Sequence, residues 1–395
     1  MSKKKILIIS DQFFPSIGSA ANLMTDLSEY LIKKNFEVFV LTSHSDRKPP
    51  DSKRILDKNV ITKRIYIPFQ KSSAYLLRGF FSLIAPIIYF FWAIFYFKKF
   101  DYVFIYSPPL SLGLTGVLLK FFFNSKLIIN VQDLFPQSAI DLGILKNTFL
   151  IWLFRLIEKK IYKTSDVITT HSYGNLKFIK EFYPHSKNKL KVMHNWIDFK
   201  KSNFPFNLDF EVNSSKKNII FAGILGPSQI SGLKSFIESF DTLNSVEYDL
   251  ILLIEGSEVP AFKNYINKKN LQNIRIFPFI SSEDYESLLS KVDIGLIALS
   301  EDVKTPVVPG KLLGYMKASL TVIVIADKYN DSHKLLKEAG CGFSSNHEKE
   351  NVDQMLNDLD KSDLKLLGNK GYSYAYENFR MENIIDTLFE NLPKK

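Results

Sequence analysis

Short apolar runs alternate along the chain with longer stretches whose apolar residues recur every three or four positions. "KILIIS" (5–10), "EVFVLTS" (37–43), "VITKRIYIP" (60–68), "YVFIYS" (102–107), "KLIINV" (126–131) and "DVITTHS" (166–172) read as strands. Near-continuous apolar character marks strands buried on both faces, as in a parallel sheet. Between the first two lies "SAANLMTDLSEYLIKKN" (19–35), with helical spacing. After a polar stretch at 198–218 the rhythm restarts with "IIFAGIL" (219–225), "YDLILLIEG" (248–256), "IRIFPFI" (274–280), "VDIGLIAL" (292–299) and "LTVIVIAD" (320–327). Helix-like partners at 232–243 and 282–292 accompany them. The pattern predicts an α/β chain in which one doubly wound, Rossmann-like architecture is built twice.

Between Arg78 and Lys98 the pattern breaks into 19 residues without a charge, "GFFSLIAPIIYFFWAIFYF". That length passes for a membrane span. Strand-like segments stand on both sides of it, however, and a single crossing would separate two strands of one sheet. Pro86 interrupts the run, basic residues flank it, and Trp92 and several aromatic residues enrich it. An interfacial segment, with Phe90, Phe91 and Trp92 facing lipid, is the favoured expectation over a buried core helix or a true span.

Charge supports that choice. Residues 1–200 hold 29 Lys/Arg against 14 Asp/Glu, and residues 201–395 hold 22 against 27, giving +15 and −5 of the net +10. A basic front half expects an anionic partner. Without aromatic nucleic-acid signatures or helix-turn-helix spacing, an anionic membrane surface fits better than nucleic acid. A single cysteine, Cys341, excludes an intrachain disulfide and a cysteine-based zinc cluster. "MSKKKILIIS" is expected not to be a signal peptide, its apolar run being too short.

In doubly wound sheets ligands bind beyond the carboxyl ends of the strands. After the first strand comes "DQFFPSIGSAAN", with Gly18 ahead of a helix; it is either a close-approach glycine or a plain turn. After "KLIINV" comes "QDLFPQS", where Asp133 either orients a ligand hydroxyl or caps a helix. The second half offers "FAGILGPSQISG" (221–232), "FPFISSED" (277–284) and "VVPGKLLGYM" (307–316). In the last, a lysine stands in the first turn of a helix, where the dipole disfavours a cation unless an anion is held there too. Together these loops suggest a nucleotide-diphosphate cleft.

The segments "FFPSIGSAANLMTDLSEYLIKKNFEVFVLT", "VQDLFPQSAIDLG", "KVMHNWID", "FAGILGPSQ" and "VPGKLLGYMKASLTVIV" resemble, in order and spacing, a family-4 glycosyltransferase of the GT-B fold. The Asp-Leu-Phe-Pro and Pro-x-Lys-Leu-x-x-Tyr-Met elements resemble its WbuB-type, fucosamine-transferase-like branch, which builds O-antigen, colanic acid and capsule. The resemblance implies two Rossmann-like domains with parallel sheets facing a central cleft. Residues 1–200 would form the acceptor-binding and membrane-facing domain, joined by a terminal helix (373–395) that crosses back. Residues 201–372 would form the donor domain. It further implies a retaining, metal-independent transfer from a UDP-sugar, an N-acetylated hexosamine, to a polyprenyl-diphosphate-linked saccharide at the cytoplasmic face of a bacterial membrane. No cofactor is implied.

Carried over, Pro309, Gly310, Lys311, Leu312 and Leu313 would meet the diphosphate and sugar, Gly18 the diphosphate, and the Phe279 backbone the base. Gly223 and Gln229 stand in the Phe-x-Gly strand and its loop; Asn195 matches a hinge-side element, and Asp133 stands where many relatives use histidine. The family's Glu-x7-Glu pair falls on Pro306 and Gly314, so Glu301 or Asp302 would have to supply a carboxylate. Ile224 and Gln229 replace a customary Arg and Lys, putting more weight on Lys311, with Lys304 as helper. A UDP-sugar 2-epimerase of the same fold and a non-catalytic nucleotide-sugar-binding scaffold stay open as alternatives.

Overall fold

The computed structural model describes residues 3–16, 18–43, 56–67, 75–97, 99–199, 210–240, 243, 247–390 and 392. It divides into two compact units: one gathers the described residues as far as Asn195 and again from Glu382, the other those from Trp196 to Met381. Of the polar stretch at 198–218, residues 200–209 lie outside the described residues, as does Pro68 of the expected 60–68 strand.

The first unit runs β1 (Lys5–Ser10), α1 (Ser19–Lys33), β2 (Glu37–Ser43), β3 (Ile61–Ile65), α2 (Tyr75–Tyr96), β4 (Tyr102–Ser107) and α3 (Leu112–Phe123). It continues with β5 (Lys126–Val131), α4 (Gln137–Asp141), α5 (Thr148–Thr164), β6 (Val167–Thr170), α6 (Tyr173–Phe182) and β7 (Leu190–Val192). The strands form one parallel sheet in the order β3-β2-β1-β4-β5-β6-β7. Leu7, Ile9, Val103, Ile105, Leu127 and Ile129 supply one buried face of it, covered by Tyr89 and Ala93 of α2, Leu119 of α3 and Ile161 of α5. The charge-free run is therefore a helix of this layer that buries Ala85, Tyr89 and Ala93, with Phe97 just after it. Thr115 Oγ1 donates to Pro86 O at 3.1 Å, tying α3 to α2 at the proline. Among the described residues no helix is long and apolar enough to cross a membrane.

The second unit runs β8 (Lys217–Ile224), α7 (Ile230–Ser239), β9 (Tyr248–Glu255), α8 (Val259–Lys269), β10 (Ile274–Phe277), α9 (Ser282–Leu289) and β11 (Ile294–Ala298). After these come α10 (Gly310–Lys317), β12 (Thr321–Ile325), α11 (Asp331–Ala339), β13 (Gly342–Ser345), α12 (Lys349–Asp360) and α13 (Leu364–Asn378). Its sheet is again parallel, ordered β10-β9-β8-β11-β12-β13. A last helix, α14 (Met381–Glu390), packs on the first unit. There Tyr30 Oη of α1 and Lys34 Nζ, just after it, donate to Asp386 Oδ2 at 2.9 and 2.7 Å.

Candidate functional site

In each unit the strand order reverses beside the first strand, between β1 and β4 and between β8 and β11. Such a reversal opens a crevice at the carboxyl edge, because the flanking connections leave to opposite sides. In the second unit the opening is visible in the ladder. β8 and β11 pair only at Ile219–Ile294 and Ile220–Gly295, and nothing pairs them further toward their carboxyl ends.

Lys311, in the first turn of α10, fills that gap from the side. Its Nζ donates to Ala222 O at 2.7 Å and lies 4.4 Å from the centroid of the Phe221 ring. Burial draws its amine down to about 8. Gly223 leaves the room: a Cβ there would stand 3.0 Å from Lys311 Nζ and 2.5 Å from Gln229 Oε1. Gln229 Oε1 is itself buried with no hydrogen-bond partner, an orphan acceptor aimed at the same spot. Neither α7 nor α10 has a side chain capping its N-terminus; Ile230 N donates to Gly226 O and Leu312 N to Pro309 O, which leaves the amides of Ser231 and Gly232 and of Gly310 and Lys311 at the opening turns. Ser300 stitches the two loops together, its amide donating to Ser228 O at 2.8 Å and its hydroxyl sharing a hydrogen bond with Ser231 Oγ at 2.7 Å. Gly232 lets α7 approach β11, since a Cβ there would stand 2.0 Å from Leu299 O.

The remaining expected residues of this unit are not all gathered here. Pro309 and Gly310 open α10 beside Lys311, but Leu312 and Leu313 are buried in the core, and the Leu312 amide donates to Pro309 O at 3.0 Å. Phe279 is half-buried in the loop between β10 and α9. Glu301 is exposed in the turn after β11, and Lys304 is occupied by Asp327 at 2.7 Å. Gly314 faces open space, with nothing within 4 Å of a Cβ built on it.

In the first unit Gly18 is the N-cap of α1 with φ 132°, a conformation that favours glycine. Asp133 follows β5, its pKa raised by burial against the opposing pull of hydrogen bonds from Ser138 and the Leu134 amide. Tyr106, two residues before the first proline after β4, has its hydroxyl pushed up by burial and then by the charge of Asp133. Beside them stands a polar network that sequence reading touched only at Asn195. Gln132 Nε2 donates to Asn130 Oδ1 and Asn195 Oδ1, both at 2.8 Å. Asn130 Nδ2 donates to Thr169 Oγ1 at 2.9 Å, and His194 Nδ1 meets His171 O at 2.8 Å. Burial, then the neighbouring His194, holds His171 down at about 4, so its imidazole stays neutral at physiological pH. Only the clustering of amides in "INVQD" and "MHNW" signals this network in the sequence.

Among the described residues no group of three or more His, Cys, Asp or Glu is placed to hold a metal ion. Asp360, of the Asp358-Leu359-Asp360 triplet, accepts from Lys217 and Tyr248. Of the expected outward aromatics, Phe91 is exposed, whereas Phe90 and Trp92 are half-buried and pack against the core. Surface hollows of about 380 and 340 Å³ lie away from both carboxyl edges, beside Tyr374 of α13 and Phe389 of α14.

Residues 20–201 match the model of Glycosyltransferase Family 4. Over 290 residues the chain is 20% identical to the probable glycosyltransferase WbjE of Pseudomonas aeruginosa, covering 71% of this chain and 72% of that one. The structure of Anabaena Alr3699/HepE in complex with UDP and glucose superposes with a TM-score of 0.69 at 14% identity, covering 98% of each chain. WaaG, a glycosyltransferase involved in lipopolysaccharide biosynthesis, gives 0.65 at 15% identity over 97% of this chain and 99% of its own. The chain shares the two-Rossmann GT-B fold of these glycosyltransferases. The Lys311 crevice is thus the carboxyl-edge site of the second Rossmann-like half of a GT-B chain, and the Asp133 cluster that of the first.

Proposed function

We propose that the protein is a retaining glycosyltransferase that moves an N-acetylated hexosamine, 6-deoxy or not, from UDP to a polyprenyl-diphosphate-linked saccharide. It works at the cytoplasmic face of a bacterial membrane, in O-antigen or capsule assembly, within the WbuB-type branch. The observation that carries this reading is the Lys311 crevice: a desolvated amine, uncapped helix amides and an orphan carbonyl converge where a diphosphate needs cations and donors. HepE, similar in fold, holds UDP and glucose, and WaaG is named for lipopolysaccharide.

In the free protein Lys311 Nζ is bonded to Ala222 O. A phosphate oxygen takes that place when donor binds, and its charge holds the proton on the amine more tightly. As the bond from the anomeric carbon to the diphosphate breaks, Lys311 and the amides opening α10 stabilise the negative charge left on the leaving group. The acceptor oxygen bonds to the same face of the sugar, and its proton passes to that leaving group. The orphan carbonyl of Gln229 accepts from a donor hydroxyl.

Screening UDP-sugars, first by thermal stabilisation and then by turnover with lipid extract, tests this reading. A UDP-linked N-acetylated deoxyhexose is expected to raise the unfolding midpoint and to yield a lipid-extractable product. Interconversion of free sugar nucleotides without acceptor, or indifference to every UDP-sugar, overturns it.

A further inference from the structure

Three helices of the first unit expose large aromatic side chains outward from one layer. On α2 these are Phe91 and Phe95, on α3 Phe121 and Phe122, and on α5 Phe149 and Trp152. Phe95 is 79% exposed, Phe121 70% and Phe149 63%, far more than scattered surface apolar residues require. The three helices adjoin. Phe90 of α2 meets Phe122 of α3 edge-on at 5.8 Å, and Gly113 lets α3 close on Ile161 of α5. Lys120 near the end of α3 donates to Thr164 O at the end of α5, so Phe149 and Trp152, in the first turns of α5, make a second patch of the layer. Within helices the rings stack outward, Phe91 on Phe95 and Phe149 on Trp152.

The exposed charges on these three helices are basic. Along α2, α3 and α5 the only acidic residue is Glu158, and it is buried, bonded to Arg155 at 3.0 Å and to Tyr183. Lys159, Lys160 and Lys163 are exposed on the later turns of α5, and Lys99 follows α2. Lys63 rests its ammonium 3.9 Å from the Tyr96 ring centroid, its charge at the margin of the aromatic surface. Just beyond α5, Asp166 is held by Lys120 and Lys126. An apolar face whose own helices expose lysines and no acid is complementary to a bilayer of anionic headgroups over acyl chains.

We infer that α2, α3 and α5 together form a monotopic platform that seats the first unit on an anionic bilayer. Its main anchors are Phe121, Phe149 and Trp152, which lie outside the charge-free run. This deepens the lipid-linked acceptor reading by naming the surface that meets the lipid. Its test uses lipid without sugar, so its failure leaves the transfer reaction standing.

The full chain is sedimented with vesicles of phosphatidylcholine alone or mixed in equal parts with phosphatidylglycerol. Binding is expected to the mixed vesicles and to be weaker to the neutral ones. Phe121→Ser, Phe149→Ser and Trp152→Ser combined should lower it at least about tenfold with an unchanged circular-dichroism melt, the three side chains being exposed. Charge reversal of Lys159, Lys160 and Lys163 should abolish the preference for phosphatidylglycerol. Absence of vesicle binding by the parent chain, or equal binding by the triple variant, overturns the inference. So does a dimer in light scattering that the triple variant dissolves while vesicles are ignored, since a second copy would then cover the face.

Discussion

The two units share a strand order and differ in how they are tightened. In the second, α7 reaches β11 because Gly232 has no side chain, and the close contact is main chain on main chain. In the first, the comparable close approach of α3 to α5 at Gly113 meets only the side chain of Ile161. The first unit instead holds its carboxyl edge with side-chain amides, Gln132 spanning Asn130 and Asn195. Main-chain contacts tighten the crevice proposed to hold a diphosphate, where position decides charge stabilisation. Side-chain networks tighten the edge proposed for the acceptor.

The largest expected effect tests that contrast directly. Gly232→Ala forces a Cβ against Leu299 O, and a loss of about 3 kcal/mol or more in urea unfolding is expected. Gly113→Ala is expected to cost about 1 kcal/mol, because Ile161 can turn aside. Equal losses would break the comparison.

Next comes Lys311→Ala, which should weaken UDP binding about tenfold to a hundredfold, the worth of a hydrogen bond to a charged group. In the parent chain Lys311 is charged below about 8 and neutral above it. UDP affinity, read by calorimetry, should therefore fall as pH rises past about 8, by up to about tenfold per pH unit. The Lys311→Ala profile should lack that limb. The same shift has a folding consequence. The ordinary value is 10.5, so the unfolded chain binds this proton more tightly, and stability should rise with pH between about 8 and 10.5.

The smallest effect is expected at Asp386→Ala. Exposed ion pairs contribute little, so the unfolding midpoint should barely move. Amides of α14 should nevertheless exchange faster with solvent while those of β12 do not. Faster exchange in both units would mean that the helix clasp stabilises more than its own unit.

Much of this architecture was legible in the sequence where burial is two-sided. β1, β2, β4 and β5 begin and end where their apolar runs do, since central parallel strands admit few polar residues. β7 and β13 escaped because "LKV" and "GFSS" are short edge strands with no periodic signal. Lys311 stood out because a cation in a first helical turn is locally anomalous. Its partner groups did not, since the orphan state of Gln229 and the contact with Ala222 arise only from folding. The apolar face was legible in α2 alone, through the absence of charge. In α3 and α5 the exposed rings lie among buried ones, and Phe90 and Trp92 turn inward, so composition could not say which way each ring points.

The return of α14 to the first unit bears on how the protein is made. A ribosome releases the chain in order, and the segments of the second unit, Trp196–Met381, emerge as one continuous piece. The first unit is split around that piece, and its closing helix comes last. Until Asp386 reaches Tyr30 and Lys34, the surface that α14 covers, with Phe36 against Phe389, stays open on a nascent chain. Completion of the first unit therefore waits until the whole of Trp196–Met381 has been made, and the order of synthesis runs against the order of the fold.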